Sequence, residues 1–338
     1  MIDISSGSRQ PWREPWTMDR LIHEQSIALG LSIDENSNIT YTSALNSYLT
    51  FCKIHCLPVE PTEKTLSFFT VFMSSHIKPD SVASYLSGIS NQLEGFFPDV
   101  RKNRNSILVS RTLAGCKHCF GTSIHRKKPL SKADLLFLVS KIGSFPSHDN
   151  ILFLAMIITG FHALLRLAEM AFPDNLKIQN YKKVTLRHTV DISPTSYSFL
   201  LPGHKADRFF EGNTIIIQKD FGCPQTDPHK IFTRYLSSHD SLHPFKPELW
   251  LRQPGKVLTR SWFMRQLRKF FPKTIGGASM RAGGATALAE TGTSPHIIQA
   301  IGRWASPAFQ IYIRKNPVIL QALLYGRPAP AGQRAAGH

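Results

Sequence analysis

The residues whose types could do chemistry gather between positions 279 and 317. The sequence there predicts three short helices, the second and third of which begin with a Ser-Pro pair, a capping residue followed by proline. Each helix offers one notable group: Arg281, the pair Arg303 and Trp304, and Tyr312, respectively. Guanidinium groups bind oxyanions through paired N–H donors, and a deprotonated phenol is a nucleophile. Taken one at a time, these residues are more typical of an ordinary basic helical bundle, in which the tyrosine packs by its ring and the arginines face water.

A further arginine lies in a strongly apolar segment. The pattern predicts a helix over Ile151 to Met170, with Arg166 inside it and Glu169 nearly one turn later. One interpretation is a surface ion pair that contributes only a few tenths of a kcal/mol. The other is an arginine held on a rigid, buried helix so that its planar fork reaches a phosphate.

The only β region that the sequence predicts lies in the second half of the chain. β-branched and aromatic residues favour strands over Val184 to Asp191, Ser196 to Leu201 and Thr214 to Gln218. Lys205 then lies on or beside the hairpin loop between the last two strands. A lysine there is usually solvated, but a mobile arm could also carry it into a site.

The chain is long enough for two domains, and its texture divides it accordingly. We expect a mainly α protein with a small antiparallel β-sheet, arranged as an all-helical N-terminal domain and an α+β C-terminal domain. The expected boundaries are a flexible N-terminus over 1–16, a helical domain over 17–121, a linker over 122–130, a second domain over 131–326 and a disordered tail over 327–338.

The predicted linker is basic, with the run Arg126, Lys127 and Lys128. Ser131 with Asp134 three residues later is typical of a capping box, which starts a new helix. Such linkers are usually only solvated, but on a DNA-binding chain these three cations would cross a phosphate backbone.

The charge and composition of the chain restrict the classes of partner that it is expected to bind. The 338 residues contain 40 Lys and Arg against 23 Asp and Glu, a net charge of +17. An excess of this size, spread along the chain, favours a nucleic-acid partner. No apolar run approaches the length of a membrane span and the N-terminus has no apolar signal region, so we expect a soluble protein without a membrane partner. The five cysteines are too few for a disulfide framework and indicate a reducing compartment.

Two tempting motifs carry little weight. Cys116 and Cys119 have zinc-ligand spacing, but no second pair follows, so free thiols are the simpler interpretation and no metal is expected. The chain has no Walker loop and no GxGxxG, so no cofactor is expected. Gly283 and Gly284 lie inside a predicted helix, where they favour close helix packing.

In order, Arg166 with Glu169, Lys205, Arg281 and Tyr312 resemble the tyrosine recombinases, the phage-integrase family. That family has an arginine in an R-x-x-E context, a lysine on a β-hairpin, an H-x-x-R motif, a G-H or G-W pair and a tyrosine about nine residues later. The run GRWASPAFQIYIRKNP is most similar to recombinases of fungal mobile elements such as Cryptons. The resemblance covers about residues 17–325, with its specific motifs confined to 160–317.

The resemblance implies a site-specific DNA recombinase or integrase with a two-domain clamp, in which the helical domain is the core-binding domain. Tyr312 would form a covalent 3′-phosphotyrosyl link without a metal, two arginines would hold the phosphate, and Lys205 would protonate the departing 5′-oxygen. Glu169 would orient its neighbours. A further N–H donor would come from Arg303, nine residues before the tyrosine, or from Trp304, eight residues before it.

The resemblance further implies double-stranded DNA as the partner, a homo-oligomer (a dimer on each site and a tetramer in synapsis) and a nuclear location. One position departs from the family, because Ala278 stands where the family histidine is expected. His162, His204 and His296 are candidates to replace it in space. The alternative function is therefore a catalytically impaired or repurposed DNA-binding protein that retains the recombinase architecture.

Overall fold

The computed structural model describes residues 14–31, 33–122, 126–143, 146–203 and 212–304. The chain separates into two compact units, Met1–Ile124 and His125–His338. Both the third predicted helix of the 279–317 stretch and the hairpin loop at Lys205 lie outside the described residues, as does Tyr312. Within the described part, no helix is long and apolar enough to cross a membrane.

The described part of the first unit is helical throughout. Its helices are α1 (Met18–Leu31), α2 (Glu35–Ile54), α3 (Glu63–Ser74), α4 (Pro79–Leu93), α5 (Val100–Arg104) and α6 (Ile107–Phe120). Buried side chains of α2, α3 and α4, among them Tyr48, Phe69 and Ile89, form its core. Thr62 and Ser106 cap α3 and α6 by accepting a backbone N–H from the first turn.

The described part of the second unit combines helices with a small sheet. Its helices are α7 (Lys132–Ile142), α8 (His148–His162), α9 (Pro228–Leu242), α10 (Arg260–Phe270), α11 (Ser279–Glu290) and α12 (Pro295–Gly302). Its strands are β1 (Asp191–Ile192), β2 (Ser196–Leu201) and β3 (Asn213–Gln218). The predicted capping box at the start of α7 is confirmed, since the Ser131 hydroxyl and the Asp134 carboxylate each accept the other residue's backbone N–H.

The three strands form an antiparallel sheet in the order β1-β2-β3, with Tyr197 opposite Ile217 and Phe199 opposite Ile215. Alternate residues of β2 and β3 are buried, as a sheet covered on one face requires. The Tyr197 ring stacks on Phe232 of α9 with centroids 4.0 Å apart. The expected fold class, mainly α with a small antiparallel sheet, is confirmed.

Two predicted elements are wrong in their extent. The apolar run that predicts a helix to Met170 stops being helical at His162, where α8 ends. The sequence predicts a strand over Val184 to Asp191, but this segment contains a 3-10 turn at Arg187–Thr189. Only its last residue, Asp191, belongs to a strand, β1. The first error has a local cause, because Leu164 adopts a left-handed backbone with φ of 51°.

Helix α8 is the buried centre of the second unit, since every residue from Ile151 to Phe161 is buried. Helix α11 crosses it at very short range. A Cβ added at Gly284 would overlap the carbonyl oxygen of Phe161, and one added at Gly283 would overlap the carbonyl oxygen of Leu130. The prediction that this glycine pair permits close packing is confirmed, and the packing fixes the position of α11 beside the end of α8.

We expect Gly284→Ala to lower the free energy of unfolding by about 3 kcal/mol or more, because the new methyl group meets backbone that cannot rotate away. Gly115→Ala is the matched control, since a Cβ at that helical glycine meets nothing within 4 Å. The control should stabilise the protein by about 0.5–1 kcal/mol. Urea unfolding of both variants measures the difference, and equal midpoints would contradict the close packing.

Candidate active site

Arg166 lies just beyond the end of α8 and not inside a helix, which corrects the sequence prediction. The left-handed turn at Leu164 redirects the chain, and Arg166 then precedes a 3-10 turn over Leu167–Glu169. Its guanidinium Nη1 donates to Glu169 Oε1 at 2.9 Å, and its backbone N–H donates to Oε2 at 2.8 Å. The side chain of Glu169 is 5% exposed and the side chain of Arg166 is 31% exposed, so the pair is half-buried and not a surface pair.

Arg281 is almost fully buried, in the first turn of α11. Its Nη1 donates to the carbonyl oxygen of Leu164 at 2.6 Å, and its Nη2 donates to the carbonyl oxygen of Gly302. The Trp304 ring covers the guanidinium, with Cζ 4.0 Å from the ring centroid, a cation–π geometry. Arg281 therefore ties together α11, the turn after α8 and the end of α12.

Arg303 enters the same region from the end of α12. It ends the helix in a left-handed conformation, with φ of 53°. Its Nη2 lies 3.5 Å from Glu169 Oε2 and donates to the Leu164 carbonyl at 3.4 Å. Its Nη1 donates to the carbonyl of Ile301 at 3.0 Å. Glu169 therefore lies between two guanidinium groups, and the Leu164 carbonyl accepts from two.

The surroundings of Arg303 are unfavourable for a charge. Its side chain is 9% exposed, and its Nε has no hydrogen-bond partner among the described residues. Burial lowers the pKa of its guanidinium, and the carboxylate of Glu169 opposes that shift. A buried N–H donor with no acceptor carries a desolvation cost that an anionic ligand would relieve.

Trp304 has a different environment from its neighbour. It packs on a small apolar cluster formed by Leu164, Ala285 and Ile298. Gly302 lies so close beneath the ring that an added Cβ would overlap it. The geometry therefore separates the two candidates that the sequence left open: Arg303 lies beside the carboxylate of Glu169, while Trp304 covers Arg281.

Ala278 is exposed and lies at the N-cap of α11, three residues before Arg281. His296, a candidate to replace the family histidine in space, is exposed on α12. The pKa of His162 is lowered by burial, and the charges that act on it come from Asp220, Lys132 and Asp227 and not from the arginines. His204 lies outside the described residues.

Two of the three predicted DNA-contacting cations, Lys127 and Lys128, lie beside the chain that leads into α11. Lys127 Nζ donates to the carbonyl of Lys273 at 2.7 Å, and the backbone N–H of Lys128 donates to the carbonyl of Thr274 at 2.8 Å. All three, Arg126 included, are exposed. No group of three His, Cys, Asp or Glu residues able to hold a metal ion occurs in the part of the chain that the structure describes.

Sequence reasoning missed the role of Leu164. Its backbone oxygen joins Arg281 and Arg303, and its side chain packs in the Trp304 cluster. Residues with left-handed backbone are usually glycine or asparagine, which can be recognised in the sequence. A leucine within an apolar run gives no such signal, so only the structure reveals it.

Comparison with solved structures shows what this fold is similar to. The XerH site-specific recombinase bound to palindromic difH substrate matches with a TM-score of 0.52 and 15% identity, over 78% of this chain and 71% of that one. The Tn1549 transposon integrase in complex with transposon right-end DNA matches with a TM-score of 0.58 and 14% identity, over 88% of this chain and 94% of that one. A lambda integrase dimer bound to a COC′ core site matches with a TM-score of 0.51 and 14% identity, over 88% of this chain and 94% of that one.

No protein-family model and no curated protein matches the chain. At these identities the structural similarity concerns the fold, which is that of the tyrosine recombinases and integrases, as the sequence resemblance predicts. The narrower similarity to fungal Crypton elements stays a prediction.

We expect Glu169→Gln to lower the free energy of unfolding by about 3 kcal/mol, because it removes the carboxylate between two guanidinium groups in a buried place. Glu94→Gln, which breaks an exposed ion pair with Arg101, is the control and should have no measurable effect. Adding Arg303→Met to Glu169→Gln should recover part of the loss. Strict additivity of the two changes in a double-mutant cycle would contradict the coupling.

Proposed function

We propose that this protein is a site-specific DNA recombinase or integrase that breaks and rejoins DNA through a covalent 3′-phosphotyrosyl intermediate. The observation that carries the proposal is the meeting of three guanidinium groups, from Arg166, Arg281 and Arg303, around Glu169 and the carbonyl of Leu164. These arginines come from three separate segments of the second unit, so their meeting is a property of the fold.

The charge balance of this place favours an anion. The carboxylate of Glu169 contacts the guanidinium groups of Arg166 and Arg303, and the side chains of Arg281 and Arg303 are each at least nine-tenths buried. Buried positive charge is costly without a counter-charge. A DNA phosphodiester supplies one negative charge and two non-bridging oxygens, which match the planar forks of arginines.

The chemistry follows from where charge develops. Tyr312 would attack as the phenolate, after its proton has passed to water; as its oxygen bonds to phosphorus, negative charge grows on the non-bridging oxygens, and the arginines would stabilise it. The new O–P bond forms as the P–O5′ bond breaks, and Lys205 would give its proton to the departing 5′-oxygen. The reverse attack by a 5′-hydroxyl rejoins the strand, since the bond energy is kept in the phosphotyrosine.

We assign the additional phosphate contact to Arg303 and a supporting role to Trp304. Arg303 stands nine residues before Tyr312, and its buried Nε–H has no partner among the residues described. Trp304 instead covers the guanidinium of Arg281 and holds it in place. Glu169 positions Arg166 and Arg303 and does not react.

Double-stranded DNA is the proposed partner. The net charge of +17 supports a polyanion, and the similar structures are described as complexes with a difH substrate, transposon-end DNA and a core site. A lambda integrase structure is described as a dimer, which supports a dimer on each DNA site here. Assembly of two such dimers and a nuclear location rest on the sequence resemblance.

A second candidate function is DNA binding without efficient cleavage. Ala278 favours it, because alanine neither exchanges a proton nor donates a hydrogen bond at a position three residues before Arg281. A missing proton-transfer group costs on the order of 10²–10⁴ in rate.

The proposed function predicts an SDS-resistant protein–DNA adduct when the protein meets a nicked suicide site that traps the cleaved strand. Tyr312→Phe should abolish the adduct, because it removes the attacking oxygen. Tyr85→Phe, in the first unit, is the control and should leave the adduct unchanged. Gel electrophoresis under denaturing conditions measures it. DNA binding without any adduct would favour the second candidate function.

We expect Ala278→His to accelerate adduct formation on the order of 100-fold, because it restores a group that exchanges protons. Ala278 is exposed, so the larger side chain has room. Ala278→Gln is the matched control of similar size, and it should give at most a small gain because its amide does not transfer a proton. Single-turnover rates decide between them. If both substitutions leave the rate unchanged, the missing histidine does not limit this protein.

A further inference from the structure

A cationic surface lies outside the candidate active site, where the chain runs from Asp174 to Lys183 and meets the start of α10. We call it the Asn-turn surface. It consists of five exposed residues, Lys177, Lys182, Lys183, Arg260 and Arg265. None of the roles proposed above uses these cations.

The surface is built on a short repeat. Asn175-Leu-Lys177 and Asn180-Tyr-Lys182 follow each other at an interval of five residues, and each begins a 3-10 turn. The side chain of each asparagine accepts the backbone N–H of the lysine two residues later, at 3.1 Å and 2.9 Å, respectively. Asx-type turns of this kind fix the local backbone, so the lysines project from a defined base.

Further contacts anchor this base to the unit. The ring of Tyr181 packs edge-on against Phe172 with centroids 5.1 Å apart. Gln179 Nε2 donates to the carbonyl of Pro173 at 2.9 Å. Phe172 in turn forms a parallel β-bridge with Thr259, the residue that caps α10. The turns and the first turn of α10 are therefore one continuous piece of surface.

Asp174, an acidic residue beside these cations, already accepts hydrogen bonds from Ser261. Asp174 Oδ1 accepts the backbone N–H of Ser261 at 3.0 Å and its hydroxyl at 2.5 Å. These hydrogen bonds, together with the nearby charge of Arg260, hold the pKa of Asp174 below its usual range. The Ser261 hydroxyl also accepts from Arg265 Nη1 at 3.5 Å.

Two other cations of the unit, Arg187 and Arg252, have a carboxylate partner. Arg187 forms a two-pronged ion pair with Asp240, with distances of 2.9 Å and 2.7 Å. Lys177 and Lys182, by contrast, form no ion pair with the residues that the structure describes. Exposed lysines on a fixed base, without carboxylate partners, are suited to a row of phosphates.

We propose that the Asn-turn surface binds the phosphate backbone of duplex DNA flanking the cleaved phosphate, and so contributes affinity without reading sequence. The identity of the partner rests on the proposed function. The surface acts in the binding step only, because neither its lysines nor its arginines belong to the group of residues that holds the scissile phosphate.

The test is a triple substitution, Lys177→Gln with Lys182→Gln and Lys183→Gln, measured with a duplex of about 40 base pairs at salt concentrations between about 50 and 200 mM. Each lost phosphate contact should reduce the salt slope by about 0.9 and the affinity on the order of 5-fold near physiological salt. The triple variant should therefore bind on the order of 100-fold more weakly, with a slope lower by about 2–3. Its adduct rate at saturating suicide DNA should equal that of the unchanged protein.

The matched control carries the same loss of charge at three exposed lysines elsewhere in the unit, Lys230→Gln with Lys246→Gln and Lys256→Gln. It should bind DNA with nearly unchanged affinity and slope. Equal weakening in both triple variants would overturn the proposal, since bulk charge would then explain the effect. Unchanged binding in the first variant would overturn it as well. Failure to form any adduct while the affinity difference persists would count against the proposed function and not against this surface.

Discussion

The carbonyl oxygen of Leu164 is the point on which the candidate site depends. It accepts hydrogen bonds from Arg281 on α11 and from Arg303 at the end of α12, and Arg281 also donates to the carbonyl of Gly302 in α12. Its position results from a left-handed turn immediately after the most buried helix of the unit. Backbone of this kind costs a leucine on the order of 1–2 kcal/mol and persists only where packing compensates for it.

That compensation comes from close contact between helices. The paired glycines of α11 allow it to approach α8 and Leu130 at backbone range, which brings Arg281 to the turn. Trp304 then covers the guanidinium and packs on the Leu164 side chain. The arginines are thus held before any ligand arrives, as electrostatic stabilisation of a transition state requires.

Much of the fold could be predicted from the sequence because its signals are local. The capping pair Ser131 and Asp134, the strand Ser196–Leu201 and the helix Ser279–Glu290 all follow from residue types within one or two turns. The end of α8 could not be predicted, because an apolar run continues through it and a leucine with left-handed backbone, not a glycine or proline, follows it.

The candidate site, too, could be predicted only in part. Arg166, Arg281 and Tyr312 stand out in the sequence through their order and spacing. The way in which the arginines meet could not be predicted, since it depends on a backbone oxygen and on two left-handed residues with no sequence signature. The different surroundings of Arg303 and Trp304 likewise became visible only in the coordinates, because the two residues are adjacent in the sequence but contact Glu169 and Arg281, respectively.

The proposed function requires that the guanidinium groups gathered at Leu164 and Glu169 form one phosphate site. A structure of the Tyr312→Phe variant bound to uncleaved duplex DNA would test this requirement. We expect a single phosphate within hydrogen-bond distance of Arg166, Arg281 and Arg303. A complex in which every phosphate lies away from these three arginines, with their present contacts to Leu164 and Glu169 as the only ones they make, would contradict it.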